Sequence, residues 1–219
     1  MKIFLDTADV LVVGQWVKTG IIDGVTTNPT HLSKAGGDPI EVIKQISTLV
    51  GRGCVSVEVT ETKLEAVYAQ AKAIAQLADN IVVKIPCHVS YYEVIKKLVL
   101  EGISINSTLV FTMTQGLAMC KLGVDYISPF VGRLDDIDTS GIKLVEDLVH
   151  MKNIYAYDTE ILAASIRSVD QLHEVIVAGA DVATVPAAVL EKAVSHPLTD
   201  QGMEIFLADW KKLAIDRFP

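Results

Sequence analysis

Short apolar runs alternate with longer amphipathic stretches along the whole chain of 219 residues. Eight runs have the length and the β-branched or aromatic content of strands: residues 2–7, 24–28, 55–59, 81–85, 104–108, 126–130, 160–165 and 181–186. Between them, apolar positions recur at the three-and-four spacing of a helix face. Over 61–78 that face is Leu64, Val67, Tyr68, Ala71, Ile74 and Ala75; over 92–101 it is Val94, Ile95, Leu98 and Val99. Short strands alternating with helices predict a parallel sheet, and eight such units predict an α/β fold closed into a (β/α)8 barrel.

No linker, low-complexity tract or shift in composition divides the chain, so residues 1–219 read as one barrel domain. Gly36-Gly37-Asp38-Pro39 and residues 132–141 read as loops within it. The helix expected over 202–218 is different. Met203, Ile205, Phe206, Leu207, Trp210, Leu213, Ala214 and Phe218 cover more than one of its faces, so it needs extra burial. Two readings offer that burial: packing across the barrel's own helices, or an arm onto a neighbouring subunit, and the second is preferred.

Composition narrows the class. Half of the residues are hydrophobic and mean hydropathy is positive, yet no uninterrupted apolar stretch approaches the roughly 18 residues of a membrane span. Asp6 stands where a signal peptide would need its apolar centre. A soluble cytoplasmic protein with no membrane partner is expected. Net charge is −8 and no Lys/Arg cluster stands out, which argues against nucleic acid as a partner. Cys54, Cys87 and Cys120 are odd in number and lack CxxC spacing, as reduced core thiols would be.

Lys84 lies in the run Ile81-Val82-Val83-Lys84-Ile85-Pro86, which is too apolar for a surface strand. An ammonium without a partner in such surroundings is costly. Either Lys84 ends its strand in solvent or a structural ion pair, or desolvation favours its neutral amine, a nucleophile for sugar carbonyls. This segment alone leaves the two readings even.

A barrel places catalytic groups at the C-terminal ends of its strands. Polar residues recur there: Asp6 and Thr7, Thr26, Thr27 and Asn28, Glu58, Lys84, Asn106 and Thr108, Ser128, and Ser165 with Arg167 just beyond. Single members have plain explanations, since Asp6 or Asn28 can cap a helix and Thr108 is a good strand former. Together they supply acids, an amine and several amide or hydroxyl groups, an inventory for carbonyl chemistry on a polyol. Arg133 and Arg167 follow the sixth and seventh strands with Ser165 nearby, where barrels often bind phosphate. An ordinary surface ion pair is the other reading of these arginines. The balance favours a phosphorylated sugar.

Two motifs are discounted. The run 136–141 begins like a calcium loop, but Asp147 stands where that loop wants a bidentate glutamate, and a strand precedes it. It reads as an acidic turn capping the next helix. The five histidines show no HExxH-type spacing, and His88 reads as a solvent-facing imidazole, so no metal is expected.

The motifs Leu5-Asp6-Thr7-Ala8, Thr26-Thr27-Asn28-Pro29, Val83-Lys84-Ile85-Pro86, Asn106-Ser107-Thr108, Ser128-Pro129-Phe130-Val131-Gly132-Arg133, Ala164-Ser165-Ile166-Arg167 and His196-Pro197-Leu198-Thr199-Asp200 span nearly the whole chain in order. In them the chain resembles the transaldolase family, in its short subgroup that also contains fructose-6-phosphate aldolase. The resemblance implies a class I, Schiff-base barrel enzyme that needs no cofactor. It implies that Lys84 attacks the ketose C2 carbonyl and that Asp6 is the acid/base at the C4 hydroxyl. Glu58 and Thr108 would position the water of imine formation and hydrolysis. Asn28, Asn106 and Ser128 would hold the hydroxyls of the three-carbon enamine, Thr26 would support the site, and Arg133, Ser165 and Arg167 would take the phosphate. Phe130 and Glu58 match the transferases of the family, whose aldolases carry tyrosine and glutamine there.

The expected reaction is therefore transfer of a dihydroxyacetone unit from sedoheptulose 7-phosphate, or fructose 6-phosphate, to an aldose phosphate. Sedoheptulose 7-phosphate and glyceraldehyde 3-phosphate would give erythrose 4-phosphate and fructose 6-phosphate, in the non-oxidative pentose phosphate route. A fructose-6-phosphate aldolase releasing free dihydroxyacetone is the alternative, and short length keeps it open. A non-catalytic sugar-phosphate-binding barrel is a more distant one. The resemblance also implies a homo-oligomer, a decamer of two pentameric rings, with the C-terminal helix reaching a neighbour.

Overall fold

All eight expected strands form, and the computed structural model, which describes residues 1–213, closes them into a parallel barrel in chain order. The strands are β1 (Lys2–Asp6), β2 (Gly24–Thr26), β3 (Cys54–Glu58), β4 (Ile81–Pro86), β5 (Ile105–Val110), β6 (Tyr126–Pro129), β7 (Glu160–Ala163) and β8 (Val182–Val185). The helices are α1 (Val10–Val17), α2 (Pro29–Ala35), α3 (Pro39–Val50), α4 (Leu64–Ala75), α5 (Tyr92–Leu100), α6 (Met113–Leu122), α7 (Val131–Asp135), α8 (Gly141–Ile154), α9 (Val169–Val177), α10 (Ala187–Val194) and α11 (Pro197–Lys212). This is a (β/α)8 barrel.

The strand residues sort by parity into two packed regions, as a period of two requires. Leu5, Val25, Val55, Val57, Val83, Ile85, Ile105, Ile127, Ile161 and Val185 pack outward with the helices. Phe4, Val82, Tyr126, Leu162 and Val182 form a separate apolar cluster inside the barrel. Gly24 makes room for that floor, because a Cβ there would stand 2.8 Å from the Phe4 ring and 2.6 Å from the Cys54 carbonyl oxygen. One step further along the strands the inward positions become polar. The barrel is thus closed by hydrocarbon at one end and lined by hydroxyl, amide and charged groups at the other.

Aspartates lock the opposite rim. Asp23, Asp125 and Asp181 each accept the backbone N–H of an odd-numbered strand, from Ile3, Ile105 and Ile161 respectively, at 2.8 Å. These N–H groups belong to the first or second residue of β1, β5 and β7, and pairing them satisfies donors at the start of each strand.

The strand ends differ from expectation for identifiable reasons. β2 stops at Thr26 because Asn28 turns to cap α2, with Pro29 at the first helical position. β5 runs on to Val110 through an irregularity at Leu109, which has φ of 58°. Residues 132–141 are not one loop: Val131–Asp135 forms α7, and Gly141 opens α8. At the end of the acidic turn between them it is Ser140 that caps α8, accepting the Lys143 N–H, while Asp135 accepts the Gly141 N–H at 2.9 Å. Gly36 ends α2 and Asp38 caps α3, so 36–39 is the expected loop.

The C-terminal helix begins earlier than expected, at Pro197, where the His196 ring accepts the Leu198 N–H at 3.1 Å. α10 lies between it and β8. None of its described residues is buried, and Met203, Ile205, Phe206 and Leu207 are all more than half exposed. The expected extent 202–218 includes residues 214–218, which lie outside the described residues.

Candidate active site

Parallel registry carries the polar residues into one row. Glu58 on β3 stands beside Lys84 on β4, which stands beside Asn106 on β5; Asp6 on β1 stands beside Thr26 on β2. Residues paired this way point to the same side of the sheet, and in a barrel that side is the interior. Lys84 is only 5% exposed. Its Nζ lies 3.2 Å from Glu58 Oε2 and donates to the Thr27 carbonyl at 3.3 Å. The amine is thus both buried and paired, and removing one partner of such a pair costs about 3–5 kcal/mol.

A cavity of about 150 Å³ opens above it, lined by Asp6, Thr26, Asn28, Lys84, Ser128, Phe130, Arg133, Leu162, Ala164, Ser165 and Thr184. Three hydrogen-bonded arrays support its walls. Thr184 donates to Thr26 at 2.5 Å, and Thr26 donates onward to Asp6 Oδ1 at 2.9 Å, since the Thr26 proton is committed to the carboxylate. Ser128 donates to Asn106 Oδ1 at 2.7 Å, and the Asn106 amide donates to Ser56 at 3.2 Å. Asn28 Oδ1 accepts the His31 N–H at 2.9 Å, and its amide nitrogen has no hydrogen-bond partner among the described residues. Asn28 is therefore a cap and a cavity residue at once.

Asp6 is the acid with the most defined surroundings. Burial pushes its carboxyl up, but the His31 imidazole, the Lys84 ammonium and the Thr26 hydroxyl outweigh burial and hold it below the usual carboxylate value. It is an ionised base that has to be paid a proton by the reaction itself. Thr108 Oγ1 is fully buried and has no hydrogen-bond partner among the described residues, an orphan hydroxyl two positions beyond Asn106.

At the far side of the cavity Phe130 packs edge-on to Phe111 at 5.9 Å, and the Arg133 guanidinium lies 5.1 Å from the Phe130 ring centre. Ser165 sits in the left-handed region with φ of 61°. Its carbonyl accepts the Gly132 N–H at 3.1 Å, so the end of β7 and the start of α7 touch backbone to backbone.

Of the residues singled out from the sequence, Asp6, Thr26, Asn28, Lys84, Ser128, Phe130, Arg133 and Ser165 line this cavity. Glu58 and Asn106 stand directly behind it in contact with Lys84 and Ser128. Arg167 does not line it; both of its terminal nitrogens are held by Asp136, at 2.5 and 2.7 Å. Thr184 and His31 belong to the site and were missed. Thr184 had a readable signal, since it lies at the end of the last strand with the inward parity of Val182. His31 could be placed only through the turn of α2 that follows Asn28.

Among the described residues no group of three or more His, Cys, Asp or Glu side chains is arranged to hold a metal ion. No helix among them is long and apolar enough to cross a membrane.

A lysine buried beside a carboxylate inside a parallel barrel, with a second carboxylate lining the same small polar cavity, defines the site of this barrel. The family model described as Transaldolase/Fructose-6-phosphate aldolase matches residues 3–217, and the chain belongs to that family of enzymes. It is 50% identical over 211 residues to a probable transaldolase of Lactiplantibacillus plantarum, covering 96% of this chain and 97% of that one. A probable transaldolase of Sinorhizobium medicae is 46% identical over 212 residues, with 97% of both chains covered. Among solved structures, the thiamine phosphate pyrophosphorylase of Pyrococcus furiosus superposes with a TM-score of 0.59 at 18% identity over 86% of each chain, a likeness of fold alone.

Proposed function

We propose that this chain is a transaldolase, moving a dihydroxyacetone unit from sedoheptulose 7-phosphate or fructose 6-phosphate to an aldose phosphate through an imine on Lys84. The observation that carries the reading is the buried Lys84 amine, 3.2 Å from Glu58 and open to the cavity that Asp6 lines. Glu58 can take protons from the amine and return them to the leaving hydroxyl of the carbinolamine. The orphan Thr108 hydroxyl supports a place for the water that this exchange releases and later consumes. Once formed, the protonated imine draws the C3–C4 bonding pair into an enamine, while Asp6 removes the C4 hydroxyl proton. Asn28 and Ser128, with Asn106 behind, present amide and hydroxyl groups for the three-carbon fragment.

Arg133 and Ser165 favour a phosphorylated substrate at the opposite end of the cavity, and Arg167 joins them if phosphate displaces Asp136. Phe130 carries no hydroxyl, so the enamine lacks a proton donor on that wall and persists until an aldehyde arrives. That feature favours transfer over release of free dihydroxyacetone. The apolar residues that α11 exposes support a homo-oligomer in which this helix reaches a neighbouring copy, and a decamer of two pentamers is the assembly we propose.

Borohydride reduction with fructose 6-phosphate tests the reading. The expected result is a dihydroxyacetone adduct on Lys84, absent in Lys84→Met, with erythrose 4-phosphate and fructose 6-phosphate formed from sedoheptulose 7-phosphate and glyceraldehyde 3-phosphate. Binding without an adduct indicates a sugar-phosphate binder, and free dihydroxyacetone released as fast as it is transferred indicates an aldolase.

A further inference from the structure

Asp6 has two carboxylate oxygens in unlike surroundings. Oδ1 accepts from Thr26 at 2.9 Å and lies 3.4 Å from His31 Nε2. Oδ2 has no hydrogen-bond partner among the described residues, which leaves it to the cavity side of the carboxylate. His31 reaches Oδ1 because Asn28 caps α2 and accepts the His31 backbone N–H at 2.9 Å, which fixes the imidazole one turn into the helix. Its side chain keeps about a quarter of its surface exposed, at 27%, while its ring meets the carboxylate.

We propose that His31 is a positioning residue for Asp6: its Nε2–H holds Oδ1 and presents Oδ2 to the substrate hydroxyl. This rests on the assignment of Asp6 as the base at the C4 hydroxyl. In the step itself the C4 hydroxyl proton goes to Oδ2, the C4–O bond becomes a carbonyl, and the C3–C4 pair passes to the enamine. Without the imidazole the carboxylate is free to rotate about its last bond, so proton removal suffers while donor binding does not.

The other charged groups around this contact are few. Lys84 on β4 acts on Asp6 and is itself paired with Glu58 on β3. Lys34 lies one turn along α2, and on α3, which packs against α2, Glu41 and Lys44 pair with each other at 3.2 Å.

The test compares the wild type with His31→Leu and His31→Gln. Glutamine keeps a donor at the end of its side chain, and leucine does not. Donor kcat and KM are measured for all three, with borohydride trapping alongside. In His31→Leu kcat is expected to fall about tenfold or more, the size of one hydrogen bond to a charged group, with donor KM little changed. In His31→Gln kcat returns to within about threefold of the wild type. A leucine variant with unchanged kcat overturns the proposal, as does a glutamine variant no better than leucine. Trapping on Lys84 separates the two readings: a wild type that traps no dihydroxyacetone refutes the Schiff-base assignment, whereas trapping in all three proteins with unchanged kcat refutes only the role of His31.

Discussion

Gly132→Ala tests how far the phosphate end of the site depends on the close meeting of β7 and α7. A Cβ at Gly132 would lie 2.5 Å from the Ser165 carbonyl oxygen and 2.8 Å from Arg167 Nε. The Arg167 contact relaxes by rotating a side chain. The Ser165 contact is backbone, and reaching an ordinary separation of about 3.4 Å opens the junction by about 0.9 Å. Overpacking of this kind costs about 1–3 kcal/mol, or roughly 2–12 °C in Tm for a chain of this size. The movement is delivered to Ser165, which lines the cavity and already sits at a positive φ. Misplacement by about 1 Å can lower turnover about 10²-fold, so kcat/KM for fructose 6-phosphate is expected to fall by up to that factor. β4 is remote from the junction, so free dihydroxyacetone should still be trapped on Lys84 by borohydride. Thermal melting, steady-state kinetics and trapping together decide the matter. A variant with unchanged Tm and kcat/KM within twofold of the parent refutes the claim that this backbone contact sets the cavity. Loss of trapping refutes the claim that its effect is confined to the phosphate end.

Two further outcomes follow from the same geometry. Phe130→Tyr adds a hydroxyl to the cavity wall and should raise release of free dihydroxyacetone from fructose 6-phosphate, within the roughly 10²-fold that a single proton donor contributes; unchanged release measured by a coupled assay contradicts the role given to Phe130. For Asp6, whose folded value lies below the ordinary one, the linkage sign is definite: its stabilisation is present above the unfolded value of about 3.9 and is lost as pH falls through the lower folded value. Asp6→Asn should therefore shrink the difference in urea midpoint between about pH 7 and about pH 3, and an undiminished difference speaks against net stabilisation of that carboxylate.

By itself the chain determined the number and order of the strands, the parallel class of the sheet, and the residues at the strand ends. These depend on periodicity and on single residues such as Pro29 and Asn28, which act within a few positions of themselves. Lys84 illustrates the limit. Its apolar neighbours showed that it needed a partner or a use, but only the β3–β4 registry placed Glu58 beside it. Arg167 was grouped with Arg133 because both follow late strands, yet the turn into α7 gives it to Asp136 instead. His31 stood out only as one of five histidines without metal-ligand spacing, because its meeting with Asp6 spans two different βα units and leaves no local spacing to read. The helix expected over 202–218 was visible as an apolar stretch, while its earlier start at Pro197 and the exposure of its described residues are facts of packing. Local pattern is written in neighbouring residues; side-chain partnership across a barrel is set by shear and registry, which exist only once the sheet has closed.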